Sequence, residues 1–203
     1  MINKFITYLF FGLLFPVALQ ASGAVAGGDT VEYRIDTATS RLYWSCNIHH
    51  GYLYLKKGCI KMAGDKLVGA DMLFQMDSVV DQDITYELMR KTLQNILRSG
   101  VFFNTKKYPY SRFVLDHARR IKPGVYEVTG DLELMGVAGC ITFRATISRK
   151  GEGLEAKSGK FYIDRLRWGI TSYSQHVAKS DKNFIVSDSI GISFYLKALR
   201  KIK

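Results

Sequence analysis

The chain has little of what enzymes commonly use for covalent or metal chemistry. It carries three cysteines and four histidines in 203 residues. No Gly-x-Ser-x-Gly elbow, His-Glu-x-x-His helix or paired Cys-x-x-Cys occurs, so the common signatures of serine hydrolases, zinc proteases and cysteine-pair metal sites are missing. From Gly153 to Gly159-Lys160 the spacing is one residue too long for a phosphate loop, and Phe161 stands where a magnesium-binding hydroxyl belongs. Acidic residues are scarce as well: 18 Asp and Glu face 29 Lys and Arg, a net charge of +11. That balance favours phosphate-bearing ligands or contact with an anionic membrane surface. The cations are nevertheless spread as on the solvated face of strands, and are dense only in Lys197–Lys203. With no basic–aromatic module in the chain, nucleic acid is not expected as a partner.

A run long enough to cross a membrane is also missing. Phe5–Leu19 is fifteen residues, short of the ~20 a spanning helix needs. Lys4 before it and the small residues Ala21-Ser22-Gly23-Ala24-Val25-Ala26 after it read as a secretory signal. Cleavage is expected between Ala21 and Gly28; the alternative is a retained N-terminal anchor. No cysteine lies near this zone, which argues against a lipid-modified N-terminus. Residues 1–23 are read as the signal peptide, with periplasmic or secreted localisation, and loss of Lys4 lowers the net charge from +11 to +10.

What the chain does have is apolar and aromatic content, 47% and 13%, enough for a core and biased towards β structure. Alternation marks strands at Val31–Ile35, Arg41–Ile48, Tyr52–Met62 (bent at Gly58) and Leu67–Met76. In the last of these Val68, Ala70, Met72, Phe74 and Met76 share a face. The period then becomes helical over Ile84–Arg98, with Gly100 as a left-handed terminator. Strands resume at Tyr110–His117, Val125–Leu134, Ile141–Arg149, Leu154–Ile163 and Ser187–Leu196. Lys122-Pro123-Gly124 and Lys150-Gly151-Glu152-Gly153 supply turns. The expected fold is all-β: an antiparallel, lipocalin-like barrel of about eight strands with one inserted helix at about 84–98. Closure removes the exposed edges, and a barrel of that size is filled by side chains or holds one slender ligand.

Several ordered motifs carry a resemblance. Tyr33, Ile35-Asp36 and Ser40 match "Y-x-ID-x-x-x-S"; His49-His50-Gly51 matches "H-x-G". Leu97-Arg98-Ser99, Phe102-Phe103 and Tyr108-Pro109 match "LRS-x-x-FF-x-x-x-x-YP". Thr129-Gly130-Asp131-Leu132 with Gly136-Val137 matches "TGDL-x-x-x-GV", and Arg165-Leu166-Arg167-Trp168-Gly169-Ile170 is similar to "R-x-x-F-G-I". In this order the chain from about residue 31 onward resembles the YceI-like family of lipocalin-like barrels that bind polyisoprenoids and other long apolar molecules. It departs from the family at Leu93-Gln94-Asn95-Ile96-Leu97, where the family carries "RD-x-HL", and at Ala138-Gly139, where it carries Thr-Lys. The resemblance implies a YceI-like domain over residues 30–203 and a binding protein, not an enzyme, with no cofactor. The expected ligand is an isoprenoid, an isoprenoid quinone or a fatty amphiphile.

The inward wall is expected from Leu42, Trp44, Ile48, Met72, Phe74, Phe102, Phe113 and Tyr126, with His49 or a rim cation such as Arg165 meeting a polar head. Phe102 and Phe103, adjacent in extended chain, are expected to face opposite ways. Two other functions stay open: an envelope stress or interaction protein with a packed barrel, and a metal or redox carrier built on Cys46-x-x-His49-His50. Strand geometry puts Cys46 and His49 on opposite faces unless a turn begins at Asn47 or Ile48. On that ground, and because the family's polar cluster is missing at Leu93–Leu97, no stoichiometric transition metal is expected. Cys46 and Cys59 fall in adjacent strands and are the expected disulfide pair, the alternative being three small buried hydrophobes. Asp77, Asp81, Asp83 and Glu87 precede the helix, where its dipole favours carboxylates; the sharper alternative is paired-carboxylate catalysis.

Overall fold

A computed structural model describes residues 29–177 and 184–201; the signal segment and the last two residues of the basic tail lie outside them. Eleven strands form one antiparallel sheet: β1 (Thr30–Ile35), β2 (Arg41–Ser45), β3 (His50–Ala63), β4 (Lys66–Gln75), β5 (Val80–Asp81), β6 (Tyr110–Lys122), β7 (Val125–Leu134), β8 (Val137–Lys150), β9 (Gly153–Ser158), β10 (Phe161–Asp164) and β11 (Ser189–Arg200). β11 pairs with both β9 and β2, so β2, β3, β4, β6, β7, β8, β9 and β11 close into a ring of eight. The remaining short strands continue ring positions across kinks. β1 and β2 both run between β3 and β11, broken by the Asp36–Ser40 turn. β4 and β5 both lie on β3, and β9 and β10 both lie on β11.

The alternation seen in the sequence generates this sheet, with local exceptions. In β4, Leu67 pairs with Met62 and Gly69 with Lys61. The extra residue is a bulge that turns Val68 outward, 48% exposed, and leaves Leu67 buried. The irregularity in β3 falls between Leu55 and Lys57, not at Gly58. The helix α1 (Glu87–Arg98) starts three residues later than its periodicity predicts. Ser99, in extended backbone, ends it by donating its N–H to Asn95 and Ile96 carbonyls. Gly100 does not adopt positive φ; the left-handed residue of this corner is Asn104, φ 44°.

The two ends of the barrel are built differently. One end carries tight turns at Gly64, Gly124 and Gly151, all with positive φ. There Tyr33, Ile60, Met62, Leu67, Tyr126, Val128, Ile147, Leu154 and Leu196 are buried. The other end carries the long connections: the Cys46–His49 turn, the segment Met76–Pro109 with α1, and the run after β10.

All three cysteines are free, which corrects the expected Cys46–Cys59 bridge. Cys46 lies opposite His49 at the long-connection end, and Cys59 is ten residues further along β3. At about 3.3 Å per residue that separation is several times the ~7 Å Cα limit for a disulfide.

Candidate functional site

The long-connection end encloses a cavity of about 160 Å³. Its wall draws Leu42 and Trp44 from β2, Met72 and Phe74 from β4, Phe113 from β6 and Phe102 from the corner after α1. An aromatic cluster forms one side: Phe143 stacks on Phe161 at 4.6 Å, with Phe113 at 5.5 Å and Phe194 edge-on at 5.6 Å. These contacts add to the apolar burial itself. Among the polar groups in the wall, the Trp44 Nε1–H is buried with no hydrogen-bond partner among the described residues, and the others are occupied elsewhere. Ser111 Oγ donates to the Glu133 carbonyl at 2.7 Å, and Arg165 points all its donors into backbone and Asp188.

A second chamber of about 310 Å³ adjoins the first, sharing Trp44, Cys46, Leu97, Phe102 and Val186 with it. His49, Ile48, Leu93, Ile96, Tyr173 and Phe184 complete its walls. Phe184 in its wall is 70% exposed, and Leu88 and Met89 on α1, the helix that supplies Leu93 and Ile96 to the wall, are exposed as well. The helix packs over this end because Leu93, Ile96 and Leu97 recur at helical spacing on one face. Arg98 ties it down, donating to the Asp77 carbonyl at 2.7 Å and the Val79 carbonyl at 3.2 Å. Gln94 accepts the Asp81 N–H at 3.0 Å.

Six of the expected wall residues therefore surround the first cavity, and three candidates are placed otherwise. Ile48 is 46% exposed in a turn and touches only the outer chamber. Tyr126 is buried in the packed end, its phenol donating to the Asp65 carbonyl across the β3–β4 turn. Arg165 is no rim cation: it is 3% exposed. Its guanidinium donates to the carbonyls of Ile170, Ser172, Val186 and Ser187 and pairs with Asp188 at 3.0 Å. Against the burial that opposes it, Asp188 is held below the usual carboxylate range by His176, Ser174 and Arg165. Arg165 thus staples the run after β10, a role its motif also gives Trp168, buried and donating Nε1–H to the Leu132 carbonyl at 3.0 Å. Phe102 and Phe103 sit in a turn, where strand alternation does not apply, and both face the cavity.

Sequence reasoning passed over Phe143, Phe161, Phe194 and Leu132. The alternation Ile141, Phe143, Ala145, Ile147 in β8 was the available signal. Two motif glycines are explained by close approach. A Cβ on Gly51 would stand 1.8 Å from the Val80 carbonyl oxygen and 2.9 Å from the Trp44 ring, so glycine admits β5 to β3. A Cβ on Gly130 would meet the Phe113 ring at 2.6 Å.

At the outer chamber the Cys46–His49 turn does form: the Cys46 N–H bonds the His49 carbonyl at 2.8 Å, and the His49 N–H reaches Cys46 Sγ at 3.3 Å. This removes the strand-geometry ground for expecting no metal at His49. The imidazole, however, turns to carboxylates and not to the thiol. His49 Nδ1 lies 3.1 Å from Asp83 Oδ2 and 3.8 Å from Asp81 Oδ2. The sequence position of Asp77, Asp81, Asp83 and Glu87 predicts carboxylates placed for the helix dipole, but of the four only Glu87 falls in the first turn. Burial pushes the Asp81 carboxyl up, and neighbouring Asp83 adds to this. Asp83, against its own burial, is held down at about 2 by hydrogen bonds with Asp81, the His50 N–H and His49.

A closed antiparallel barrel with an apolar chamber at one end is a lipocalin-like barrel. Within that class the chain belongs to the YceI-like domain family, whose model matches residues 33–198. Two UPF0312 proteins of Pseudomonas putida are 28% identical to it over 161 residues, 74% of this chain and 77% of theirs. A UPF0312 protein of strain W619 is 38% identical over 64 residues, a match spanning 32% of each protein. Among solved structures, Burkholderia cenocepacia BcnA superposes with a TM-score of 0.66 at 23% identity, covering 81% of this chain and 99% of that one. A polyisoprenoid binding domain from Saccharophagus degradans, implicated in plant cell wall breakdown, gives 0.59 at 14% identity, covering 83% and 98%.

Proposed function

We propose that the protein is an exported carrier that holds one long-chain apolar lipid, an isoprenoid, isoprenoid quinone or fatty amphiphile, in the hollow end of the barrel. The observation that carries this reading is the cavity wall, where the side chains are apolar or, apart from the unpartnered Trp44 Nε1–H, have their polar atoms bonded elsewhere. The structural neighbour described as polyisoprenoid binding supports it. Burial yields about 0.8 kcal/mol per CH₂. Ten methylenes spread through the two adjoining chambers would then offset much of the several kcal/mol of association entropy. The outer chamber and its exposed apolar surround give the remaining chain and the head an exit beside α1, where a membrane surface could deliver it. Apolar walls discriminate each methylene weakly, so selectivity would rest on cross-section and length. The cavity also weighs against the packed-barrel interaction protein.

The chain has two tryptophans, and only Trp44 lines the chambers. Native mass spectrometry of protein from its own envelope fraction should show one bound lipid that organic extraction removes. Trp44 emission should change on delipidation and recover as isoprenoid is titrated back, a response absent in Trp44→Phe. Protein without extractable lipid, with Trp44 emission indifferent to isoprenoids and fatty amphiphiles, would refute the carrier reading.

A further inference from the structure

We propose that His49, Asp81 and Asp83 form a divalent transition-metal site, of the kind zinc occupies, at the outer chamber. The three side chains come from separate segments, the β2–β3 turn, β5 and the loop before α1. Their candidate ligand atoms nevertheless lie within 4.8 Å of one another. The backbone aims them. The Ile84 N–H donates to Asp81 Oδ1 at 2.9 Å and the His50 N–H to Asp83 Oδ1 at 3.2 Å. These bonds leave both Oδ2 atoms facing His49 Nδ1. Distances of 3.1 and 3.8 Å from that nitrogen approximate the separations between ligands that each stand about 2.0–2.2 Å from one zinc ion.

The independent pointer is Asp81. Its side chain has no exposed surface, and its Oδ2 finds no hydrogen-bond donor among the described residues. A buried carboxylate oxygen with no donor is costly, and carboxylates are buried when they are paired or hold a metal. Here the atom points at a second carboxylate and an imidazole, an arrangement that a dication between them would neutralise. One nitrogen and two oxygens suit zinc better than a soft metal. Three protein ligands leave a coordination position free. Of the three, His49 also lines the outer chamber. The site stands whether or not the barrel carries lipid, because its ligands are set by backbone hydrogen bonds.

The test uses the secreted-length protein, treated with chelator, delipidated and then titrated calorimetrically with Zn²⁺. One equivalent should bind. Asp81→Asn, which keeps the side-chain shape, should weaken binding by about tenfold or more, and so should His49→Ala, while His117→Ala on the exposed face of β6 changes nothing. Circular dichroism of each variant separates lost ligands from lost fold. Cobalt substitution should give d–d bands without a thiolate charge-transfer band. No saturable binding, binding that survives Asp81→Asn, or a thiolate band would overturn the site. Because no lipid is present, none of these results depends on the carrier function.

Discussion

The two ends of this barrel share eight strands and the same alternating pattern, yet one is solid and the other hollow. At the tight-turn end Leu196, Ile60, Tyr126 and their neighbours fill the lumen, and Leu196 has no exposed surface at all. At the other end the lumen faces Phe143, Phe113, Trp44 and Met72 across open space. Aromatic side chains cluster there, Phe143 joining Phe113, Phe161 and Phe194, and they still leave the cavity beside them open. The connections follow the same division. Short hairpins close the packed end, and the long segments that carry α1, the His49 turn and the Arg165 staple all gather over the cavity. Packing without voids is what stabilises a core, so the hollow end has to be held open by something else. Here that is the frame of backbone hydrogen bonds around Arg165 and Arg98.

The largest effect that would sharpen this contrast is on uptake. Met72 and Val68 lie four residues apart on β4, one facing the cavity and the other, through the bulge, facing solvent. Met72→Arg should abolish lipid binding measured by Trp44 emission, because a charge without a partner would share the wall with the ligand's apolar chain. Val68→Arg should leave the titration unchanged. Equal losses in both variants would mean that strand register, and not the wall, controls binding.

A smaller effect concerns stability. Leu196→Ala opens a hole in the solid end and should cost about 4 kcal/mol in urea unfolding of the delipidated protein. Leu134→Ala, beside a cavity that already exists, removes fewer opposing contacts and should cost nearer 2 kcal/mol. Saturating lipid should raise the stability of Leu196→Ala and of the parent protein alike, by mass action on the folded state. If the two truncations cost the same, the ends are not packed differently.

The ring itself was legible from alternation and turn residues, since both are local properties of a strand. Where a bulge inserted a residue, as at Val68-Gly69, the period-two reading carried the wrong residue into the core. The cavity was half legible: Trp44, Met72 and Phe113 follow from strand parity, but which end of a strand faces a void depends on what crosses the lumen. The Arg165 and Asp81 environments were not legible. Both are buried by partners distant in sequence, the run up to Asp188 for one and the β3–β5 pairing for the other. A charged residue read in isolation is placed on the surface, and here both charges are internal. Gly51 held the one local hint, a glycine needed wherever another backbone comes close.

Tyr126 gives the smallest effect and tests whether the ligand reaches the packed end. It was expected in the ligand wall, yet its ring lies in the packed end and its phenol spans to the Asp65 carbonyl. Tyr126→Phe keeps the ring and removes one neutral hydrogen bond, so it should cost about 1 kcal/mol of stability and leave the ligand's affinity and stoichiometry unchanged. The unpaired Asp65 carbonyl sits at an exposed turn, where water can replace the phenol and hold the cost down. Should the variant instead weaken lipid binding while unfolding at the same urea concentration as the parent, the ligand would have to reach Tyr126. The solid end would then be a plug that the chain can push aside.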